Sequence, residues 1–437
     1  MNRNVKKAKK NSDSQEKSDE YENAITNSLL NLNSNVNENK DSDDVQTANV
    51  TDIRIDFVKN LATSHKLRSM VDFDDCNTET ATNARVSKRI LDVKEVFTGM
   101  NVKLNYLKSG TTGHAFKAVS KQDKNIMFAV KVCAYPKDEY GAINNAARPE
   151  NAELRMLKLL TYFVANKISP HFVLPITTFN TSISHFVNVG KVSIDIDDDK
   201  NEQYKKFIER YKDGKLEDFV SVLVCEWCNG GDLLDYIRKN YKNMSLKEWT
   251  IILFQILYTL SVIQEKYPGF KHNDMKPNNI LIQQTQKPDS TQQYYGYKTG
   301  SYGFYIPNIG LQIKIWDFDF SCIEGVIDNN KVKSDWAHDI NITSKQNRYY
   351  DIHYFFNTLI STRFFPQFYD EGCVPQQIID FIHRVVPEKF RGNGGGRGTE
   401  YLHKKGRIRV NEEYTTPVKL ITTDPLFEKY RQLSLDK

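Results

Sequence analysis

The 437-residue chain is short of several things, and each shortage excludes something. Its six cysteines are too few for a disulfide framework and suit a reducing compartment. Only Cys225 and Cys228 form a C-x-x-C pair, and no second pair or nearby histidines complete a zinc or redox site. Charge of one sign is scarce too. The 60 basic and 55 acidic residues leave a formal +5, too mild to imply a specific nucleic-acid partner. Residues 1–20 are too charged for a signal peptide. The longest apolar run, Ile251 to Ile263, is interrupted by Gln255 and too short to cross a bilayer. The expectation is a soluble, intracellular protein without a transmembrane segment.

What is present suffices for a sizeable core, with 39% hydrophobic and 12% aromatic residues. Single cores stop growing at roughly 250–300 residues, so lobes or appended segments are expected. Residues 1–50 are rich in Asn, Lys, Asp and Ser with almost no aromatics, and such a tail cannot bury enough apolar surface to order itself. Its Lys6, Lys7, Lys9 and Lys10 read as a solvated charge run. Residues 51–90 form an extension of short helical patterns and polar stretches without an interpretable motif.

From about residue 90 the pattern sharpens. Val102, Leu104 and Tyr106 alternate with polar residues as in a strand, Gly110 to Gly113 makes a turn, and His114–Val119 and Ile126–Ala134 are further strands. Glu150 to Ala165 has a helical period. Phe172–Phe179 and Ser221–Trp227 read as two more strands. A polar insertion near 181–220 separates them, and its acid run Asp197–Asp199 reads as a solvated loop. The second half is mainly helical. Trp249, Ile252, Leu253, Ile256, Leu257, Leu260 and Ile263 form one buried stripe, and a second insertion is expected near 283–312. Strands followed by helices predict an α+β fold, a small sheet-based part preceding a larger helical one.

The strongest chemical signal is His272-Asn-Asp274-Met-Lys276-Pro277-Asn-Asn279-Ile-Leu, followed by Trp316-Asp317-Phe318-Asp319. Phosphoryl transfer needs a carboxylate near the attacking hydroxyl, an amide and a second carboxylate to hold magnesium, and a cation against developing charge. Asp274, Asn279, Asp317 and Lys276 supply those four groups.

These strings resemble the catalytic loop and magnesium motif of the eukaryotic-type protein kinase superfamily, and the resemblance runs from about Val102 to Ile360. It implies a bilobal fold: a small antiparallel-sheet N-lobe with one main helix (91–228) and a larger, abbreviated helical C-lobe (229–437). Leu107-Lys-Ser-Gly110-Thr-Thr-Gly113 is similar to a kinase glycine-rich loop whose first glycine is replaced by Lys108. Phe128-Ala129-Val130-Lys131 resembles the strand whose lysine grips the ATP phosphates, with Glu153, or alternatively Glu150, as its ion-pair partner. Val222 to Leu234 resembles the hinge that receives adenine. That likeness implies backbone hydrogen bonds from Glu226 and Cys228, with Cys225 at the back of the pocket. It also implies ATP with Mg2+, or Mn2+, held by Asn279 and Asp317. Asp274 would orient the acceptor hydroxyl, and Lys276 two residues later implies serine or threonine on protein substrates.

Two departures stand out. Asn273 precedes Asp274 where regulated kinases carry arginine, and the metal motif ends in Asp319 rather than glycine, with no A-P-E after it. Asp351 is a candidate brace for the catalytic loop. Together with the late Pro425-Leu-Phe-Glu-Lys-Tyr, these strings resemble the poxvirus-type serine/threonine kinases of large DNA viruses, which act in virion assembly. A giant-virus member is implied. Residues 391–398 read as a flexible glycine-rich loop. The alternatives are a small-molecule kinase of the aminoglycoside or choline type and a pseudokinase scaffold.

Overall fold

The computed structural model describes residues 45–77, 86–188, 194–285, 294–392 and 398–433. The lysines of the tail and the centre of the glycine-rich stretch lie outside them. The first sheet is built from β1 (Val102–Ser109), β2 (His114–Ser120), β3 (Met127–Pro136), β4 (Pro175–Ser182) and β5 (Leu216–Glu226). It is antiparallel throughout, in the order β1-β2-β3-β5-β4. In β3, Phe128, Val130 and Val132 are buried, and the alternation that hides them turns Lys131 to the other face. The helix Pro149–Ala165 opens with Pro149 in its first turn and Glu150 near its N-terminus, both favourable there.

Two expectations need correction. The extension before residue 90 contains one 20-residue helix, Val45–Ser64, that begins inside the segment read as a tail. It buries Val58, Leu61 and Ala62 and packs against β4 and the helix Pro149–Ala165. The insertion between β4 and β5 likewise holds a helix, Glu202–Lys212, and β5 starts five residues before the predicted strand. Within the acid run, Asp198 accepts from Lys200 N at 3.0 Å and caps a helical turn.

The remainder contains two short two-stranded sheets and a three-stranded one among the described residues. The strands are β6 (Phe270–Lys271), β7 (Ile280–Gln284), β8 (Tyr294–Thr299), β9 (Tyr302–Pro307), β10 (Leu311–Ile315), β11 (Cys322–Ile323) and β12 (Arg431–Leu433). β7 pairs with β10 and β6 with β11, while β8, β9 and β12 form a three-stranded sheet that no sequence pattern announced. The helix Leu246–Lys266 starts in a capping box of Ser245 and Glu248. Instead of one buried stripe, it buries every residue from Trp249 to Gln264, because β8, β10 and the helices Gln376–Val385 and Pro417–Thr423 surround it. Its length and composition would let it cross a membrane, contrary to the reading of the apolar run alone, yet 83% of its apolar window is buried inside this fold. It is a core helix.

Candidate active site

The loop between β6 and β7 is held from below. Asp351, fully buried, accepts the backbone N–H of His272 at 2.7 Å and of Asn273 at 2.9 Å. Asn273 sits at φ +63°, a left-handed conformation that asparagine tolerates better than most residues, and its Nδ2 donates to Phe320 O at 3.1 Å. His272 Nε2 lies 3.0 Å from Trp316 O, tying this loop to the strand that leads to Asp317. Position 273 is thus a fixed backbone turn and a strut.

The geometry leaves Asp274 facing a set of donors. Its Oδ2 accepts from Lys276 Nζ at 2.6 Å and from Asn279 Nδ2 at 3.1 Å, and its backbone carbonyl accepts from Asn279 Nδ2 at 2.9 Å. Its Oδ1 accepts from Arg407 Nη2 at 2.6 Å. Sequence reasoning missed Arg407. Its only local signal is the dense run His403-Lys-Lys-Gly-Arg407-Ile-Arg409.

A second cluster joins β3 and the helix Pro149–Ala165 to the segment that follows β10. Lys131 Nζ lies 2.6 Å from Glu153 Oε1 and 2.8 Å from Asp317 Oδ1. Of the two glutamates considered, Glu153 meets Lys131, while Glu150 pairs with Arg148 at 3.1 Å. Burial alone would lower the Lys131 pKa, but Asp317 and Glu153 outweigh it and hold the ammonium well above its ordinary value. Burial pushes the Asp317 carboxyl up, and Lys131, with His272 and Lys276 behind it, overcomes that and brings it to about 2. Asp317 itself has φ +66°, with buried Phe318 tilted against the His272 ring at 5.1 Å. Where a glycine was expected, Asp319 is buried and paired with buried Lys331.

The glycine-rich turn closes with Gly110 N donating to Gly113 O at 2.9 Å. A Cβ on Gly113 would lie 2.9 Å from Cys133 Sγ and 3.2 Å from Lys131 Cε, so only glycine lets the turn sit this close to the lysine strand. Lys108, in place of the first glycine, reaches Asp232 at 3.4 Å. Ala129 pairs with Cys225 across β3 and β5, which puts both side chains on the same face of the sheet. Cys225 and Cys228 are buried with thiols pushed up by burial, Cys228 to about 12.

Glu226 does more than its backbone suggested. Its carboxylate takes Arg54 Nη2 at 2.5 Å and Nε at 3.0 Å and the Leu174 N–H at 2.8 Å, while its own N–H donates to Leu174 O at 3.0 Å. Burial pushes this carboxyl up, but Arg54 more than compensates and holds it below its ordinary value. Behind it lies Lys314, fully buried, donating to Pro170 O at 2.6 Å. Burial and the neighbouring Arg54 lower its pKa to about 7.

No cluster of three or more His, Cys, Asp or Glu side chains suited to a metal exists among the described residues. Asn279 spends its Nδ2 on Asp274 and its backbone carbonyl on the Trp316 N–H at 3.0 Å, which leaves its side-chain Oδ1 as the candidate ligand, and Asp317 is about a third exposed at 35%. Two protein oxygens of this kind fit a hard divalent ion that takes its other ligands from phosphates and water.

A five-stranded antiparallel sheet that presents a paired lysine to the carboxylates of a helical region is kinase-like in its α+β architecture. The sequence matches the family described as poxvirus serine/threonine protein kinase over residues 82–391. It is 56% identical over 434 residues to a protein of Acanthamoeba polyphaga mimivirus described as a serine/threonine-protein kinase, covering 99% of this chain and 91% of that one. A second mimivirus protein of the same description is 35% identical over 150 residues, 30% of this chain and 37% of the relative. The Caenorhabditis elegans serine/threonine-protein kinase unc-51 is 45% identical over 74 residues, 16% of this chain and 8% of its own. The chain belongs to the poxvirus serine/threonine protein kinase family. It is a serine/threonine kinase of viral type, and that membership implies ATP, a divalent metal and protein substrates.

Proposed function

We propose that the chain closes two lobes, residues 91–228 and 229–437, around ATP and passes the γ-phosphate to serine or threonine hydroxyls at Asp274. The observation that carries this is the pairing of Lys131 with Glu153 and Asp317 beside the set Asp274, Lys276 and Asn279. Lys131, steadied by Glu153, holds the α- and β-phosphates under the Gly110–Gly113 turn. Backbone groups of Glu226 and Cys228 receive the adenine, with Ala129 lining its groove. Asp317 and the Asn279 Oδ1 hold Mg2+, or Mn2+, which neutralises charge on the phosphate oxygens.

Asp274 does the proton work. The described donors occupy three of the roughly four lone-pair sites of its carboxylate, leaving one on Oδ1 for an incoming hydroxyl. As the hydroxyl oxygen bonds to phosphorus, the bond to the ADP oxygen breaks, ADP leaves with the electron pair, and Asp274 takes the proton. Lys276 steadies the transferring group. Positioning and charge stabilisation are the main terms, with the base adding ~10²–10⁴-fold. Asn273 and the Lys331–Asp319 pair support a segment ordered without an activation-loop phosphate. The viral relatives support action in the host cytoplasm or the virion, with virion assembly the setting the family resemblance suggests.

Purified protein incubated with labelled ATP, Mg2+ or Mn2+ and a mixed panel of acceptor proteins and aminoglycoside or choline metabolites tests this. Label on serine or threonine, absent with Asp274→Ala, is the expected result. Label on a metabolite alone, or ATP binding without transfer, would replace the reading with a small-molecule kinase or a pseudokinase.

A further inference from the structure

The stretch 402–409 doubles back on itself beside Asp274. Leu402 bridges Ile408, His403 N donates to Arg407 O at 2.8 Å, and Gly406 N donates to His403 O at 2.8 Å. Lys405 N donates to His403 Nδ1 at 3.1 Å, and Gly406 turns the chain at φ +79°. The turn is fastened to the helical region through Asn357 Nδ2, which donates to Gly406 O at 2.9 Å. Its tip, Lys404 and Lys405, is exposed, as is Arg409 on the returning strand. Burial lowers the His403 pKa, and the charged groups that lower it further are Arg409, Lys404, Arg407 and Lys405, all cations.

The foot of the turn is Arg407. Its guanidinium lies 3.9 Å over the Tyr354 ring, its side chain is only 5% exposed, and Nη2 grips Asp274 Oδ1. Nε and Nη1 are buried without a hydrogen-bond partner among the described residues. Arg407 thus roots the turn beside Asp274 as a buried cation, and the exposed cations of the turn stand above it.

We infer that the turn His403–Arg409 is the acceptor platform and selects hydroxyls flanked by acidic side chains. Arg407 anchors the turn to Asp274, while the exposed Lys404, Lys405 and Arg409 pair with the acidic side chains of the peptide. This inference rests on the proposed transfer at Asp274. Exposed pairs are individually weak, so the selection comes from several acting on one peptide.

The test compares kcat/KM of the full chain on serine peptides with acidic, neutral and basic flanks, at low and high salt, for the native protein and for K404E/K405E. Acidic flanks should be favoured roughly tenfold, a preference that shrinks as salt screens it and turns toward basic flanks in the charge-reversed variant. Transfer without an acidic preference, or a preference untouched by salt, overturns the inference alone, and the salt arm holds even if the variant fails to fold. A preference for acid kept by a folded K404E/K405E also overturns it. Transfer to no peptide at all overturns the kinase reading and this inference with it.

Discussion

Two arginines, one from each end of the chain, reach carboxylates in its middle, and they do so differently. Arg54, from the helix Val45–Ser64, meets Glu226 across 172 residues and also donates to Pro170 O at 2.9 Å and Phe172 O at 2.7 Å, so all three of its nitrogens are used. Arg407 meets Asp274 across 133 residues through one nitrogen and leaves two unpartnered among the described residues. A fully satisfied, largely buried pair is a fixture, and it pins the extension against the end of β5. A half-satisfied one, beside the proposed proton acceptor Asp274, keeps two buried donors without a partner among the described residues. The distinction between scaffold and site is therefore readable from which donors are spent.

That contrast can be broken most sharply at Arg54. Arg54→Met leaves the Glu226 carboxylate buried without its cation and should cost about 3–5 kcal/mol in urea unfolding, with Glu226→Gln added to it recovering much of the loss. Next comes Glu153→Gln, which loosens Lys131 from one of its two carboxylates. Misplacing the phosphate grip should lower kcat/KM on the order of 10²-fold, measured at saturating acceptor with ATP varied.

Arg407→Met should cost less stability than Arg54→Met, about 1–3 kcal/mol in the same unfolding series, because Asp274 keeps Lys276 and Asn279. Equal losses for the two arginines would erase the distinction drawn between them. The last effect, confined to a window of pH, concerns Lys314. Its folded-state pKa of about 7 lies below the ordinary lysine value near 10.4, so the unfolded chain binds the extra proton between those limits. Stability should therefore rise with pH from about 7 toward 10. Lys314→Met should flatten that rise, read as the change in urea midpoint between neutral and mildly alkaline buffer.

The central constellation could be picked out in the sequence because each member sits in a string that resembles a kinase motif. Asp274, Lys276 and Asn279 share one loop, Lys131 follows a glycine turn, and Asp317 closes a short apolar strand, so the strings single them out even though Lys131 and Asp317 lie 186 residues apart. Glu153 was separable from Glu150 only by register on one helix, which the Lys131 contact resolves. The rest was hidden for a physical reason. Arg54 and Arg407 gain meaning from partners 172 and 133 residues away, and nothing near either one advertises a carboxylate. The helix Val45–Ser64 was obscured because its apolar residues are spread around the helix rather than lining one face. The sheet of β8, β9 and β12 joins residues 302–304 to 431–433, a pairing that strand pattern cannot foresee.

The most direct test of the account is phosphoamino-acid mapping of the acceptor after reaction with the native chain and with Asp274→Asn, alongside ATP-induced thermal shifts for both. The account predicts phosphoserine or phosphothreonine from the native chain only, with the ATP-induced shift retained in the variant. Transfer at an undiminished rate by a folded, ATP-binding Asp274→Asn would contradict it.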